Sequence, residues 1–299
     1  MKRRTLITGA ASGIGLETAL QLARLGDHVV VADRNVAGGR NVVERIVNSG
    51  GSAEFRALDL ADLSVIRAFA GEEVSRNAPL DVLINNAGLL PPMTRTLTRD
   101  GFELMFGIAH LGHFALTGLL LPALRRSPSP RVVSVSSVSH ASGRVAPDDL
   151  QSGQRYTASG AYANTKLACL MFALELDRRA DAAGNPLISV AAHPGISRTP
   201  IAAGWEREDR RSLWDRAERI GYRLSMRLFA QSAADGARSL VHAAYEPGVE
   251  GGRYYGPTGF QQFSGAPGRV EPHSRALDTA IAERLWDRSE QLTGVQYEL

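Results

Sequence analysis

The chain has 299 residues and a formal net charge of +3, and its hydrophobic share of 44% beside 22% charged residues supplies a large core, as in ordinary globular enzymes. A single cysteine excludes an internal disulfide, and basic residues interspersed with acids argue against a nucleic-acid partner. Length alone would allow two domains, but α/β chains of this size are commonly one, so a single domain over 1–299 is expected. The apolar run near the N-terminus is too short for a signal segment, and nowhere do 18 apolar residues run together. A cytoplasmic protein is therefore expected.

Residues 5–8 read as a short apolar strand that runs into Thr8-Gly9-Ala10-Ala11-Ser12-Gly13-Ile14-Gly15. Leu16, Ala19, Leu20 and Ala23 follow at helical spacing, with Gly26 as the stop. Residues 28–32 form a second apolar strand ending at Asp33. Such a βαβ unit suits a dinucleotide. Glycines let the backbone approach a pyrophosphate, and the helix N-terminus offers free N–H groups to an anion. Gly9, Ser12, Gly13, Ile14 and Gly15 are the candidate contacts. Asp33 can accept hydrogen bonds from a free adenosine ribose and would repel a 2′-phosphate, whereas Arg34 could pair with that phosphate. The glycine turn holds no basic residue, so NAD is favoured over NADP.

The alternation continues with a helix over 36–48, a strand over 53–58 followed by Asp59 and Leu60, a helix over 62–76 and a strand over 81–84 leading into Asn85-Asn86-Ala87-Gly88. Ligands sit at the strand ends on the glycine-turn edge of such sheets. Asp59, Leu60, Asn86, Ala87 and Gly88 are therefore candidates for adenine and ribose contacts, although Asp, Asn and Gly are also ordinary turn formers. Residues 101–125 form a long apolar helix carrying His110 and His113. No carboxylate-rich cluster or cysteine accompanies them, so they read as packed histidines and no metal is expected. A strand over 131–136 ends at Ser136-Ser137, and a polar Gly/Pro/Ser-rich loop follows to residue 160.

Tyr162 and Lys166 lie four apart at the start of an amphipathic helix marked by Leu167, Leu170, Met171 and Leu174. Positions i and i+4 share a helix face, so the ammonium can lie beside the phenol, stabilise the phenolate and make the hydroxyl a general acid/base. Composition adds weight, because Lys166 is one of only two lysines in the chain. Cys169 on the same helix reads as a core thiol. A sixth strand over 187–192 closes with His193-Pro194-Gly195 and then Thr199.

Residues 196–230 interleave Trp205, Trp214 and Tyr222 with a series of arginines. They read as a lid of one or two helices with an apolar inner face, favouring a bulky hydrophobic substrate; an ordinary amphipathic surface pair fits equally well. Acids such as Glu206, Asp209 and Glu218 offset the arginines, which weighs against membrane contact. Residues 257–299 form a C-terminal extension ending in a helix over 276–292 that covers the pocket.

The glycine turn, Asn85-Asn86-Ala87-Gly88, Ser137, Tyr162/Lys166 and Pro194-Gly195 through Thr199 come in the order of the short-chain dehydrogenase/reductase family. His110-Leu111-Gly112-His113-Phe114 and the run from Arg131 through Ser137 to His140 resemble its retinol-dehydrogenase-like and protochlorophyllide-reductase-like branch. The resemblance spans residues 3–256. It implies a Rossmann-type, doubly wound parallel sheet of about seven strands with helices on both faces. It also implies NAD(P)(H)-dependent interconversion of a small-molecule alcohol and carbonyl, with Ser137, Tyr162 and Lys166 as the catalytic set. By the same carry-over, Tyr162 exchanges the proton, Ser137 bonds the substrate oxygen, and Lys166 assists the phenol and holds the nicotinamide ribose. Pro194, Gly195 and Thr199 would meet the nicotinamide. Helices near 101–125 and 160–180 resemble a pair through which family members form homodimers or homotetramers.

One residue departs from the pattern. The branch usually carries an asparagine before His110, where it stabilises a local helix distortion and holds a water linked to the lysine; here it is Ala109. On sequence alone the distortion should lose its support, turnover should be slow or protons should be relayed through another group, and Ala109→Asn should raise the rate. A nucleotide-binding regulatory or scaffold protein of the same fold is the alternative that this residue raises.

Overall fold

A computed structural model describes residues 2–197 and 230–299. Thr199 and all but the ends of the expected lid lie outside the described residues. The chain alternates β1 (Arg4–Thr8), α1 (Gly13–Arg24), β2 (His28–Asp33), α2 (Val36–Asn48), β3 (Ser52–Ala57), α3 (Leu63–Ser75) and β4 (Val82–Asn85). It continues with α4 (Leu104–Leu124), β5 (Arg131–Val135), α5 (Ala158–Ala182) and β6 (Ile188–Ala192). After the undescribed stretch come α6 (Ala233–Tyr245), β7 (Tyr254–Pro257), β8 (Pro267–Val270) and α7 (Thr279–Thr293).

The sheet order is β3-β2-β1-β4-β5-β6-β7-β8, parallel except for the antiparallel pair β7–β8. The order reverses beside β1, where β1 pairs β2 on one side and β4 on the other. That reversal opens a crevice beyond the strand ends, the place where open α/β sheets bind ligands. The central strands are buried along most of their length because helices cover both faces, while the edge strand β3 is only partly covered. Leu6, Val30, Leu83 and Val132 face one core with Ile66, Phe114 and Phe172. Their neighbours Ile7, Val31, Ile84 and Val133 face the other with Leu22, Ile46 and Leu240. The strands thus use period-2 alternation to feed two helical layers.

Two features exceed the sequence reading. The expected seven strands are joined by β8, an edge strand from the C-terminal extension. And the extension forms an added layer over α4 and α5. Trp286, 2% exposed, packs against the rings of Phe114, Phe172 and Tyr297, while the Tyr297 hydroxyl donates to Phe114 O at 2.6 Å. A Cβ at Gly118 would come within 2.7 Å of Tyr297 and Val295, so close docking of the tail requires glycine there. The helix pair that the resemblance assigns to dimerisation is covered by the chain's own C-terminus.

Trp286→Ala is expected to lower unfolding free energy by about 3–5 kcal/mol, the usual effect of emptying a large buried aromatic site. Denaturant unfolding checks this, and a loss below about 1 kcal/mol would mean that the extension is not part of the core.

Candidate active site

At the sheet reversal lies a cavity of about 600 Å³. It brings together Gly9, Ser12, Gly13, Ile14, Gly15, Asp33, Arg34, Leu60, Asn86, Ala87, Gly88, Ser137, Tyr162, Lys166, Pro194 and Gly195. Of the sequence candidates within the described residues, only Asp59 is not among its lining; its Oδ1 accepts from the Ala61 amide at 2.9 Å. Sequence reading did not single out Leu89, Leu90, Ile108, Val138, Ser139 and Ile196, which give the cavity an apolar wall. These come from loops and a helix face, and no motif marks them.

The nucleotide half fits a pyrophosphate by its backbone. Gly9 and Gly13 sit at φ +66° and +57°, which favours glycine. A Cβ at Gly15 would lie 2.4 Å from Gly9 O and 2.5 Å from Asn86 Nδ2. Ser12 begins α1 without a side-chain cap, so it satisfies none of the first-turn amides at the cavity edge. Asp33 stands at the end of β2, where its Oδ2 accepts from the Ala11 amide at 2.9 Å and its Oδ1 from the Asn35 amide at 2.8 Å. Its carboxylate is thereby fixed beside the glycine turn.

The catalytic half is built on β5 and α5. Lys166, 5% exposed, donates from Nζ to Val135 O at 2.9 Å, and its own carbonyl accepts from Ser136 Oγ at 2.7 Å. Its ammonium lies 6.0 Å from the centre of the Tyr162 ring, on the same face one turn away. Ser137 begins a short 3-10 turn and accepts from the Ser139 amide at 3.2 Å. Its backbone is held from behind, because Ser137 O accepts from His140 Nδ1 at 2.7 Å and from the Tyr254 hydroxyl at 3.3 Å. His140 Nε2 in turn accepts from the His273 amide at 3.0 Å, which fixes the Nδ1–H tautomer. On the other side His193 Nδ1 accepts from the Gly195 amide, and Nε2 donates to Gln262. The C-terminal extension therefore supports both Ser137 and the Pro194-Gly195 turn.

The helix distortion that Ala109 was expected to lose is present. Gly107–Gly112 is π-helical in the middle of α4. The Ala109 carbonyl inside it accepts from His113 Nδ1 at 2.9 Å and from Cys169 Sγ at 3.2 Å. Ala109 is 2% exposed and packs against Met105 and Cys169, beside Tyr162. An asparagine would be forced into filled space at about 1–3 kcal/mol. Ala109→Asn is therefore expected to cost stability, whatever it does to the rate. His110 is also buried, and its Nε2 meets Ser289 Oγ at 2.9 Å. Among the described residues no cluster of three or more metal-ligating side chains occurs.

The chain matches the model of the short chain dehydrogenase family over residues 3–210. It is 41% identical to polyprenol dehydrogenase of Mus musculus, across 98% of this chain and 84% of that protein. It is 38% identical to retinol dehydrogenase 12 of the same species, across 98% and 87%. The crystal structure of an uncharacterised protein from Mycobacterium paratuberculosis superposes with a TM-score of 0.80 at 40% identity, covering 100% of this chain and 96% of that one.

Burial holds His110 and His193 down to about 3 and His113 down to about 4, from an ordinary 6.5. Unfolded, these rings take up protons near pH 6.5; folded, they do not until the pH is far lower. The unfolded state therefore binds more protons through that window, and stability falls as the pH drops from about 6.5 towards 4. Thermal melting across pH should show this decline, with a plateau above about pH 7; a melting temperature unchanged down to about pH 4.5 would contradict it.

Proposed function

The chain belongs to the short chain dehydrogenase family, in its retinol-dehydrogenase-like branch, and is an oxidoreductase of CH–OH and C=O groups; on that premise we propose that it interconverts a lipophilic alcohol and its carbonyl using NAD(H). The observation that carries the reading is the meeting of Ser137, Tyr162 and Lys166 with the glycine turn in one cavity. The bound dinucleotide supplies or removes the hydride. In the reducing direction the Tyr162 hydroxyl gives its proton to the substrate oxygen, and in the oxidising direction it takes that proton back. Ser137 Oγ–H donates to the same oxygen, where negative charge develops, so two fixed donors stabilise the transition state. Lys166 stabilises the phenolate and, with one N–H committed to Val135 O, has further donors for a ribose hydroxyl.

The apolar wall of Leu89, Leu90, Ile108, Val138 and Ile196 supports a bulky hydrophobic substrate. An alcohol of the kind named in the relatives, polyprenol or retinol, suits it. The fixed Asp33 carboxylate supports NAD over NADP. Two of its lone pairs are used by backbone amides, others remain for ribose hydroxyls, and its charge opposes a 2′-phosphate. The π segment forms without the asparagine, which supports turnover over a nucleotide-binding scaffold, and Ala109 offers no polar atom for the water that the asparagine holds in the branch. A homodimer or homotetramer would have to use a surface other than the covered α4–α5 face. Within this reading the protein acts in the cytoplasm.

Tyr162→Phe is expected to lower turnover of a lipophilic aldehyde by about 10²–10⁴-fold while NADH still binds. Turnover within about tenfold of the unsubstituted protein would remove Tyr162 from the chemistry. NADH should bind about tenfold or more tightly than NADPH, and Asp33→Ala should narrow that ratio. Tighter binding of NADPH would overturn the cofactor preference.

A further inference from the structure

His113 is fully enclosed, 3% exposed, and reaches in two directions. Its Nδ1 faces Ala109 O at 2.9 Å, and its Nε2 faces Thr8 Oγ1 at 2.8 Å. A carbonyl only accepts, so Nδ1 carries the proton and Nε2 is the acceptor. The Thr8 hydroxyl must then donate to the ring. Its two lone pairs are taken by the Asn86 and Ala87 amides, each at 3.0 Å. Ile84 O, at 3.3 Å, is a second and longer acceptor for the same hydroxyl. A charged imidazole would turn an N–H towards an oxygen that has no lone pair left.

One end of this chain of bonds reaches the turn that lines the cavity, and the other reaches α5. Thr8 ends β1, and the turn it anchors includes Asn86, whose Nδ2 donates to Thr8 O at 2.8 Å and Gly9 O at 3.2 Å. That turn lines the cavity beside the glycine loop. Ala109 lies in the π segment, and its carbonyl also takes the Cys169 thiol, three residues past Lys166 on α5. Ala109 and Cys169 pack together beside Tyr162. The Ala109 oxygen thus takes one side-chain donor from its own helix, His113, and one from α5, Cys169, while the His113 ring also reaches Thr8 on β1.

We propose that His113 is a positioning residue for this reaction: its neutral ring fixes the spacing between the Asn86-Ala87-Gly88 turn and the helix that carries Tyr162 and Lys166. Its two nitrogens do separable jobs. The Nε2 side, through Thr8, orders the floor on which the dinucleotide rests. The Nδ1 side, through Ala109 O, seats the catalytic helix. Near-attack geometry is sensitive to displacements of about 1 Å, so loss of the second job acts on turnover.

The kinetic arm rests on the dehydrogenase reading; the binding arm does not. The test compares His113→Phe, which keeps ring bulk and loses both bonds, with His113→Asn, which keeps a donor for Ala109 O and cannot reach Thr8. The NADH dissociation constant is read by fluorescence, and kcat for a lipophilic aldehyde is read per bound NADH. His113→Phe should weaken NADH about threefold or more and lower kcat about tenfold or more. His113→Asn should recover most of the kcat and keep the weakened NADH binding. Both constants within about twofold of the unsubstituted protein, in a His113→Phe variant that melts cooperatively, would overturn the proposal and leave the ring as core filling. If His113→Phe does not fold, His113→Asn decides by itself: weakened NADH with kcat retained supports the proposal, and unchanged NADH overturns it. If the unsubstituted protein binds NADH and turns over no alcohol or carbonyl, the dehydrogenase reading fails, and the NADH constants alone decide the role of His113.

Discussion

A buried ammonium is the constraint around which this site is arranged. Lys166 is 5% exposed in a chain with only one other lysine. A charge removed from water in this way must be met by acceptors or it destabilises the fold. The end of β5 meets the charge with Val135 O, which accepts from Nζ, and holds the backbone of α5 beside it through Ser136 Oγ, which donates to the Lys166 carbonyl. Ser137 is the next residue along that strand end. Tyr162 lies one turn back on α5, and Gly88 borders the ammonium so closely that a Cβ there would sit 3.7 Å from Nζ. The positions of all three follow from seating one positive charge at the edge of a cavity.

Support for that seat comes from far along the chain. The C-terminal extension reaches back through the His273 amide to His140, and through Gln262 to His193. Tyr254 of β7 lies between those two imidazoles, at 5.3 and 4.9 Å. Burial holds His193 down to about 3 and lowers His140 from the usual imidazole range, and the contacts of each ring fix its tautomer. The extension also closes the outer face of α4 and α5 through Trp286 and Tyr297. It is as much a part of the active-site framework as the strands.

Much of this was legible in the sequence because the strongest signals are local. Short runs rich in β-branched and other apolar residues marked the parallel strands, and the glycine turn between strand and helix marked the edge where the cavity opens. The i, i+4 pair placed Tyr162 and Lys166 on one face of α5, where both line the cavity. Long-range and backbone features stayed hidden. The π segment shifts hydrogen bonds without changing apolar periodicity. Its one sequence trace is the glycine at each end: side chains there would meet Thr98 at Gly107 and Leu60 O at Gly112. β8 spans only Pro267–Val270 and shows no alternation. The partners of His140 and His193 lie 133 and 69 residues away, a pairing no single-chain pattern reveals. Ala109 misled for a related reason. Its missing side chain suggested a missing distortion, whereas the distortion is held through the backbone carbonyl that any residue supplies.

The central claim is that the enclosed charge of Lys166 makes the Tyr162 hydroxyl competent at neutral pH. Replacing the ammonium by a chain of similar shape and no charge, Lys166→Met, isolates that effect when kcat is followed from neutral to alkaline buffer at saturating NADH. The account requires a loss of about 10²–10⁴-fold near pH 7. A Lys166→Met protein that binds NADH and keeps turnover near pH 7 within about tenfold of the unsubstituted enzyme would contradict it.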